Sequence, residues 1–454
     1  MPADPQPAAI AAGGVDASTP PVTPRPAVDA AISLLAREES GRIIALLAHR
    51  FGDVDLADEA VHEALIAAVE TWPERGIPDN PAGWLRTAAR NRAIDRIRRA
   101  TSARRRLLEA APELLAGDVE EPDLEELDGE RDDLIVDEVA VRDEQLRLML
   151  LCCHPALDVD AQVALTLRLV GGLSTPEIAS AFLLPTATLA QRIVRAKRKI
   201  QDARIPLSIP ADLDGRVGTV LTVLYLIFNE GYLSRGAADA VVRVDLAQEA
   251  IRLTRLLVEL VKPTPEAEGL LALELFQHAR VATRVDDAGD LVLLERQDRT
   301  RWDLPRILEA NRVLATAMAR GHPGVFQVEA LIAAQHANAR TAADTDWPAI
   351  VGLYAQLEAM TGSPVVRLNR AVAVAMADGP HAGLALLDPL DGLDGYHLLH
   401  ATRGELLLRA DRGSEAEVAF GRALMLATNP AEVRHLERRV AVATADEVRS
   451  SPHL

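Results

Sequence analysis

The stretch WLRTAARNRAIDRIRRATSARRR, Trp84 to Arg106, carries the most specific chemistry in the sequence. It holds nine arginines and one acid, Asp95, a local charge of +8. Guanidinium forks clamp phosphate oxygens, and an aromatic ring gives an unpaired base a surface to stack on. The combination points to nucleic acid whose strands are partly separated. At about 100° per residue, Arg92, Arg96 and Arg99 project within about 60° of one another, with Ile94 and Ile97 on the opposite side. The arc through Arg92, Arg96 and Arg99 is therefore expected to face phosphate. Arg86 and Arg90 project near the isoleucines, so they snorkel outward, pair internally, or are re-aimed by a break near Asn91. Asp95 is placed to brace Arg98 or Arg99.

A second basic set sits in LSTPEIASAFLLPTATLAQRIVRAKRKIQDARI. Ser174 or Thr175 caps one helix, Pro185 and Thr186 mark a short turn, and Thr186 is expected to cap the next helix. Two helices joined by so short a turn form a helix-turn-helix, whose second helix reads a major groove. Arg192, Arg195, Lys197, Arg198 and Lys199 crowd its C-terminal half, where such a helix meets backbone phosphates.

No catalytic constellation accompanies these sets. The sequence lacks a Walker A loop, HExxH, GxSxG and a glycine-rich strand-to-helix turn, and its eleven histidines are scattered. An enzyme is not expected, and neither is a cofactor. Cys152, Cys153 and His154 form CCH, but no second ligand pair stands at metal spacing, so the two cysteines are read as buried packing residues and no metal is expected. Two adjacent cysteines also fit a reducing, cytoplasmic compartment.

These motifs need helices to hold them, and the composition supplies helices. Aromatics are only 3% of 454 residues, and Ala and Leu dominate. The expected fold is all-α, in several domains. The Pro- and Ala-rich residues 1–27 read as a disordered tail with no secretory pattern. Residues 28–101 form a compact helical unit, with Gly52 closing its first helix, Asp55 capping the second, and a third starting near Asn80 or Pro81. Residues 102–140 are an acidic linker, with 16 acids and two arginines between Leu107 and Glu144. Residues 141–208 carry the helix-turn-helix, and 209–322 form a further helical domain. From 323 to 454 the pattern changes to paired helices: RAVAVAMADGPHAGLAL and RGELLLRADRGSEAEVAF align at an offset of 33, close to the tetratricopeptide period. An ordinary stack of helical hairpins is the alternative. No apolar run is long enough to span a membrane. The formal net charge of −18 lies largely in the linker, so it does not oppose nucleic-acid binding elsewhere.

Taken together, these segments resemble the sigma-70-type sigma factors of bacterial RNA polymerase, in the compact extracytoplasmic-function class. DLADEAVHEALIAAVETWP resembles the part of sigma region 2 that grips the polymerase. NPAGWLRTAARNRAIDRIRR resembles the part that melts and reads the −10 promoter element. LTLRLVGGLSTPEIASAFLLPTATLAQRIVRAKRKI resembles region 4, which reads the −35 element. VLYLIFNEGYLS and the chain beyond it resemble the subgroup with a fused tetratricopeptide-like extension. The resemblance implies core polymerase contacts at Asp58, Glu59, His62, Glu63 and Trp72, with His62 where Gln is usual. It implies promoter-opening contacts at Trp84, Arg90, Asn91, Arg92, Arg96, Arg98 and Arg99, with Asp95 as a structural brace. In region 4 it implies Thr186, Thr188, Gln191, Arg192, Arg195, Lys197 and Arg198; Leu183 and Pro185 replace the Gly and Ser common in that turn. The implied partners are core RNA polymerase and promoter DNA, with a regulatory protein or an intramolecular contact engaged by the extension. Two rivals stand beside this reading: a stand-alone helix-turn-helix regulator, which needs no core-facing acidic helix, and a helical-repeat scaffold, which leaves the helix-turn-helix unexplained. The acidic linker either threads toward the polymerase active site or shields the basic helices in the free protein.

Overall fold

The computed structural model describes residues 25–110, 138–182, 184–233, 246–261, 263–284, 286, 292–321, 323–427 and 430–450. All regular structure among them is helical. The tail before residue 25, most of the acidic linker, Leu183 in the turn and Asn429 at the end of the second repeat lie outside the described residues. The chain divides into two compact units, Met1–Val141 and Arg142–Leu454.

Among the described residues, α1 (Arg25–Phe51), α2 (Val54–Arg75) and α3 (Pro81–Ala110) pack together as the body of the first unit. Gly52, at φ 68°, ends α1 in the left-handed conformation that glycine adopts without steric cost. The N-cap of α2 is Asp53 and not Asp55: its Oδ1 accepts the N–H groups of Asp55 at 2.8 Å and Leu56 at 3.1 Å. Asp55 stands two residues past the cap, inside the first turn, where an acid serves the helix dipole rather than the cap. Asn80 accepts the Gly83 N–H at 2.9 Å and Pro81 opens α3. α3 then runs unbroken past Asn91 and on to Ala110, through the sequence expected to begin the linker. No break re-aims Arg86 or Arg90.

The second unit begins within α4 (Glu138–Cys152) and continues with α5 (Val159–Leu165) and a π turn over Thr166–Val170, α6 (Thr175–Ala181) and α7 (Thr186–Asp202). The extension follows as α8 (Leu213–Leu233), α9 (Leu246–Leu260), α10 (Pro265–Ala279), α11 (Leu304–Met318), α12 (Val325–Asn338), α13 (Trp347–Thr361), α14 (Pro364–Asp378), α15 (Pro380–Leu387), α16 (His397–Arg409), α17 (Gly413–Leu426) and α18 (Pro430–Ser450). α10 is nearly all buried because it packs against α9, α11 and α12. Gly269 permits that approach, since a Cβ there would lie 2.8 Å from the Gln327 amide nitrogen. The Glu266 carboxylate accepts the N–H groups of Phe326 (3.1 Å) and Gln327 (3.3 Å), so α10 caps the start of α12.

The offset of 33 has a packing basis. Ala371 and Leu387 of the first pair correspond to Gly404 and Phe420 of the second, and all four are buried. A Cβ on Gly404 would lie 2.7 Å from the Phe420 ring, so a small residue on one helix makes room for the large one on its partner. One core joins both pairs and reaches Leu436 and Ala443 of α18.

Candidate nucleic-acid interface

In the first unit, α3 packs through Leu85, Ala89, Ala93 and Ile94, all at most 4% exposed. The two central contacts are alanines, which let α3 lie close to its neighbours. Arg90 is buried with them at 8% exposure, its stem absorbed in the packed side. The outward arc carries Asn91, Arg92, Asp95, Arg98 and Arg99.

Arg96 departs from the expected arc of Arg92, Arg96 and Arg99. Its guanidinium turns to α2, where it pairs with Glu63 at 2.5 Å and with Glu59. The physical reason is where the packing is centred. The two isoleucines placed the buried side about 90° too far round, whereas Ala89 and Ala93 mark its true middle. Arg96 then falls on the margin, opposite two carboxylates, and Arg98 replaces it on the open side.

The residues expected to meet polymerase divide in the same way. Trp72 is 2% exposed and Asp58 6%, so both are built into the packet. Glu59 and Glu63 are half-buried and hold Arg96, and of these five residues His62 is the exposed one. Trp84 meets the edge of Trp72 at a centroid distance of 5.3 Å and an interplanar angle of 69°. This contact anchors the start of α3 and leaves Trp84 half-buried. Sequence reasoning missed Ile66 and Val69, which are exposed at 44% and 39% and follow His62 at i+4 and i+7. The signal that could have found them is their angular distance from Ala57, Ala60, Ala64 and Ala68, the small buried positions of α2.

In the second unit the helix-turn-helix is built more regularly. Ser174 and Glu177 close a capping box on α6, with the Ser174 N–H donating to Glu177 Oε2 at 2.7 Å. The cap position of α7 is Pro185, without a side-chain bond, and Thr186 is its first helical residue, which corrects the expected Thr186 cap. Leu189, Ile193, Ala196 and Ile200 are buried at i, i+4, i+7 and i+11. Thr186, Thr188, Gln191, Arg195, Arg198 and Lys199 are consequently exposed, and Lys197 is half-buried. Arg192 leans to α5 and pairs with Asp160 at 3.0 Å. Arg198 pairs along its own helix with Asp202 at 3.5 Å.

Cys152 and Cys153 are buried free thiols. Cys153 Sγ lies 3.5 Å from Thr166 Oγ1, and burial pushes its thiol up to about 12. His154 Nδ1 accepts the Ala156 N–H at 3.1 Å in a turn. The three residues serve packing and turn structure, and among the described residues no cluster of His, Cys, Asp and Glu could hold a metal. None of the described helices is long and apolar enough to cross a membrane.

The extension is joined to this helical group by more than the chain. Arg216 at the start of α8 donates from Nη2 to the Leu150 carbonyl at 2.7 Å, and α8 packs against α5. Leu226 and Glu230 of α8 line one groove of about 300 Å³ together with Asp160, Phe182, Leu189 and Arg192.

Comparison with known proteins agrees with this partition. Residues 35–103 match the model of Sigma-70 region 2, and residues 147–200 that of Sigma-70, region 4. Residues 216–318 match a family of unknown function (DUF6596). A protein of Rhizobium meliloti (strain 1021), named "Uncharacterized protein R00370", is 44% identical over 393 residues, covering 86% of this chain and 90% of its own length. No solved structure matches the chain.

Proposed function

The chain belongs to the sigma-70-type family of RNA polymerase sigma factors, and from that premise we propose the division of labour among its residues and a regulatory role for its extension. As a sigma factor it binds core RNA polymerase and promoter DNA and serves promoter-specific transcription. Polymerase docks on the α2 face that carries His62, together with Glu59 and Glu63. Asp58 and Trp72 act beneath that face, holding its shape. Asn91, Arg92, Arg98 and Arg99 meet the −10 strands, with Trp84 at their edge and Arg90 supporting from within. Arg96 joins them when its acid partners are engaged elsewhere. Thr186, Thr188, Gln191, Arg192, Arg195, Lys197 and Arg198 read the −35 element, the first of these at base edges and the cations at phosphates.

The extension adjusts the helix-turn-helix. The observation that supports this is the groove in which Leu226 and Glu230 of α8 adjoin Arg192 of the reading helix. A substitution in α8 then reaches DNA binding without touching DNA.

The test adds the full chain to core polymerase on a promoter library and sequences the transcripts. Specific initiation that needs both components is expected; the absence of both transcripts and core binding would sink the assignment of roles. Leu226→Glu in the same assay examines the extension. Altered transcript yield at unchanged core binding supports regulation, a rise marking restraint and a fall marking support. Unchanged yield defeats the regulatory role.

A further inference from the structure

Away from the DNA-facing helices, the extension contains two adjoining cavities. One, of about 670 Å³, is bounded by the 293–299 segment, α12, α13, α14 and α16. The other, of about 560 Å³, is bounded chiefly by α8, α10, α12 and α13. They share Leu294, His336, Tyr354 and Asn369 as a common wall, and the adjoining pair is termed the chamber.

The charged lining of the larger cavity comprises Arg299, Arg409, Glu295 and Glu405, of which Arg409 pairs with Glu295 at 3.0 Å and Glu405 with Arg439 at 2.7 Å. Arg280 lines the smaller cavity, and His336 lines both. Arg280 Nε donates to Gln277 Oε1 at 3.2 Å; Arg299 donates to the Ala339 carbonyl at 3.0 Å, and its buried Nε has no hydrogen-bond partner. The His336 ring meets Trp347 edge-on at 5.3 Å. Burial and the two arginines hold His336 down at about 4, so at neutral pH it is an uncharged donor and acceptor. Glu329 lines the smaller cavity with Tyr225, to which it is hydrogen-bonded, and Tyr354; its carboxyl is pushed up to about 7 by burial and by Glu266. Leu273, Ile332, Leu357 and Val366 supply apolar wall to the same cavity. A concave, mainly apolar space with a few convergent polar groups is the usual construction of a small-molecule site. The two guanidiniums select for negative charge, and Tyr354 together with the hydrogen-bonded Glu329 and Tyr225 presents polar groups that suit a hydroxyl or amine.

We propose that this chamber binds a small organic anion, a carboxylate or phosphate monoester with an apolar body, and that α8 transmits its occupancy to region 4. The second half rests on the regulatory role argued above. α8 is shared by both sites: Tyr225, Phe228 and Asn229 line the chamber, while Leu226 and Glu230 line the groove beside Arg192. A ligand that favours one setting of α8 shifts region 4 by the difference in its affinity for the two settings.

The test uses the full chain and 1-anilinonaphthalene-8-sulfonate, a fluorescent anion with an apolar body. Saturable binding is expected, weakened about tenfold or more in Arg280→Gln and abolished in Ala333→Trp, which fills the cavity. Helical circular dichroism checks that each variant is folded, and Arg280→Gln alone decides if Ala333→Trp is not. Uptake without saturation, or binding that Arg280→Gln leaves unchanged, overturns the site. Octanoate should displace the probe while octanamide does not; equal displacement by octanamide overturns the anion assignment. Promoter-specific transcription with core polymerase is then measured with and without octanoate. A response that Leu226→Glu removes, with probe binding intact, supports transmission through α8. Intact binding with no transcriptional response overturns transmission alone, and so is distinguished from failure of the site.

Discussion

The two basic helices, α3 and α7, are built on opposite plans. α7 buries a single stripe of Leu189, Ile193, Ala196 and Ile200, which leaves its polar side open along the whole helix. α3 buries small residues at its centre, and the acids of α2 reach its margin. Each nevertheless holds one arginine against an acid of a neighbouring helix: Arg96 against Glu59 and Glu63, and Arg192 against Asp160. In the first unit the acids are those on the proposed polymerase-docking face, so docking competes for them. In the second the acid is an exposed group beside the groove that α8 lines. The difference teaches that an arginine count measures potential charge, while neighbouring carboxylates decide how much of it meets DNA in the free protein.

The largest expected effect tests how deeply the first plan depends on its aromatic pair. Trp72→Ala removes a fully buried ring and the edge that Trp84 rests on, and should cost about 3–5 kcal/mol of stability. Chemical denaturation of the full chain reads this as an earlier first transition. An unchanged midpoint with weaker polymerase binding would restore Trp72 as a direct contact.

Next comes the open side of α3. Arg92, Arg98 and Arg99 changed together to Ala should lower promoter affinity of the polymerase complex and make its salt dependence shallower by about two to three logarithmic units of slope. Core binding should persist. Loss of core binding instead would show that this side faces polymerase.

A smaller effect follows from releasing Arg96. Glu59→Gln with Glu63→Gln should raise the free chain's affinity for DNA at low salt by about two- to fivefold, the scale of exposed ion pairs. Fluorescence anisotropy measures it, and the gain should shrink when Arg96→Ala is added. A gain that survives that addition is bulk charge and not release. The smallest effect is Asp160→Asn, which breaks one pair where Arg96 has two. It should change affinity for −35 duplex DNA by about twofold or less, and a change larger than that of the α2 pair would invert the comparison.

Most of the fold was readable from residues. Apolar periodicity, a cap at Ser174 or Thr175, and the glycine after α1 are local signals that place these helix ends to within a turn, whereas α3 runs on from the expected end at residue 101 to Ala110. Errors fell where two candidates stood side by side. Asp53 and Asp55 are both good caps, and only the backbone angle chooses between them. Thr186 suits a cap, but Pro185 reaches the position first. The offset of 33 was legible because small and large residues alternate between paired helices. The outward side of α7 was legible in the same way, from a continuous aliphatic stripe. The side of α3 was not, since alanines carry too little apolar signal to mark the centre of a packing face.

The sequence by itself determined the helices, their order, the two basic segments and the kinship to sigma regions 2 and 4, because all of these rest on neighbours within a few residues. Only the tertiary structure decided that Arg96 turns inward, that Trp72 supports Trp84, and that Ile66 and Val69 stay exposed. A helix has every side available until partners cover some of them, and those partners come from elsewhere in the chain. The same holds for the chamber. Its walls run from Tyr225 to Arg409, and no pattern within a single helix could announce that these residues meet.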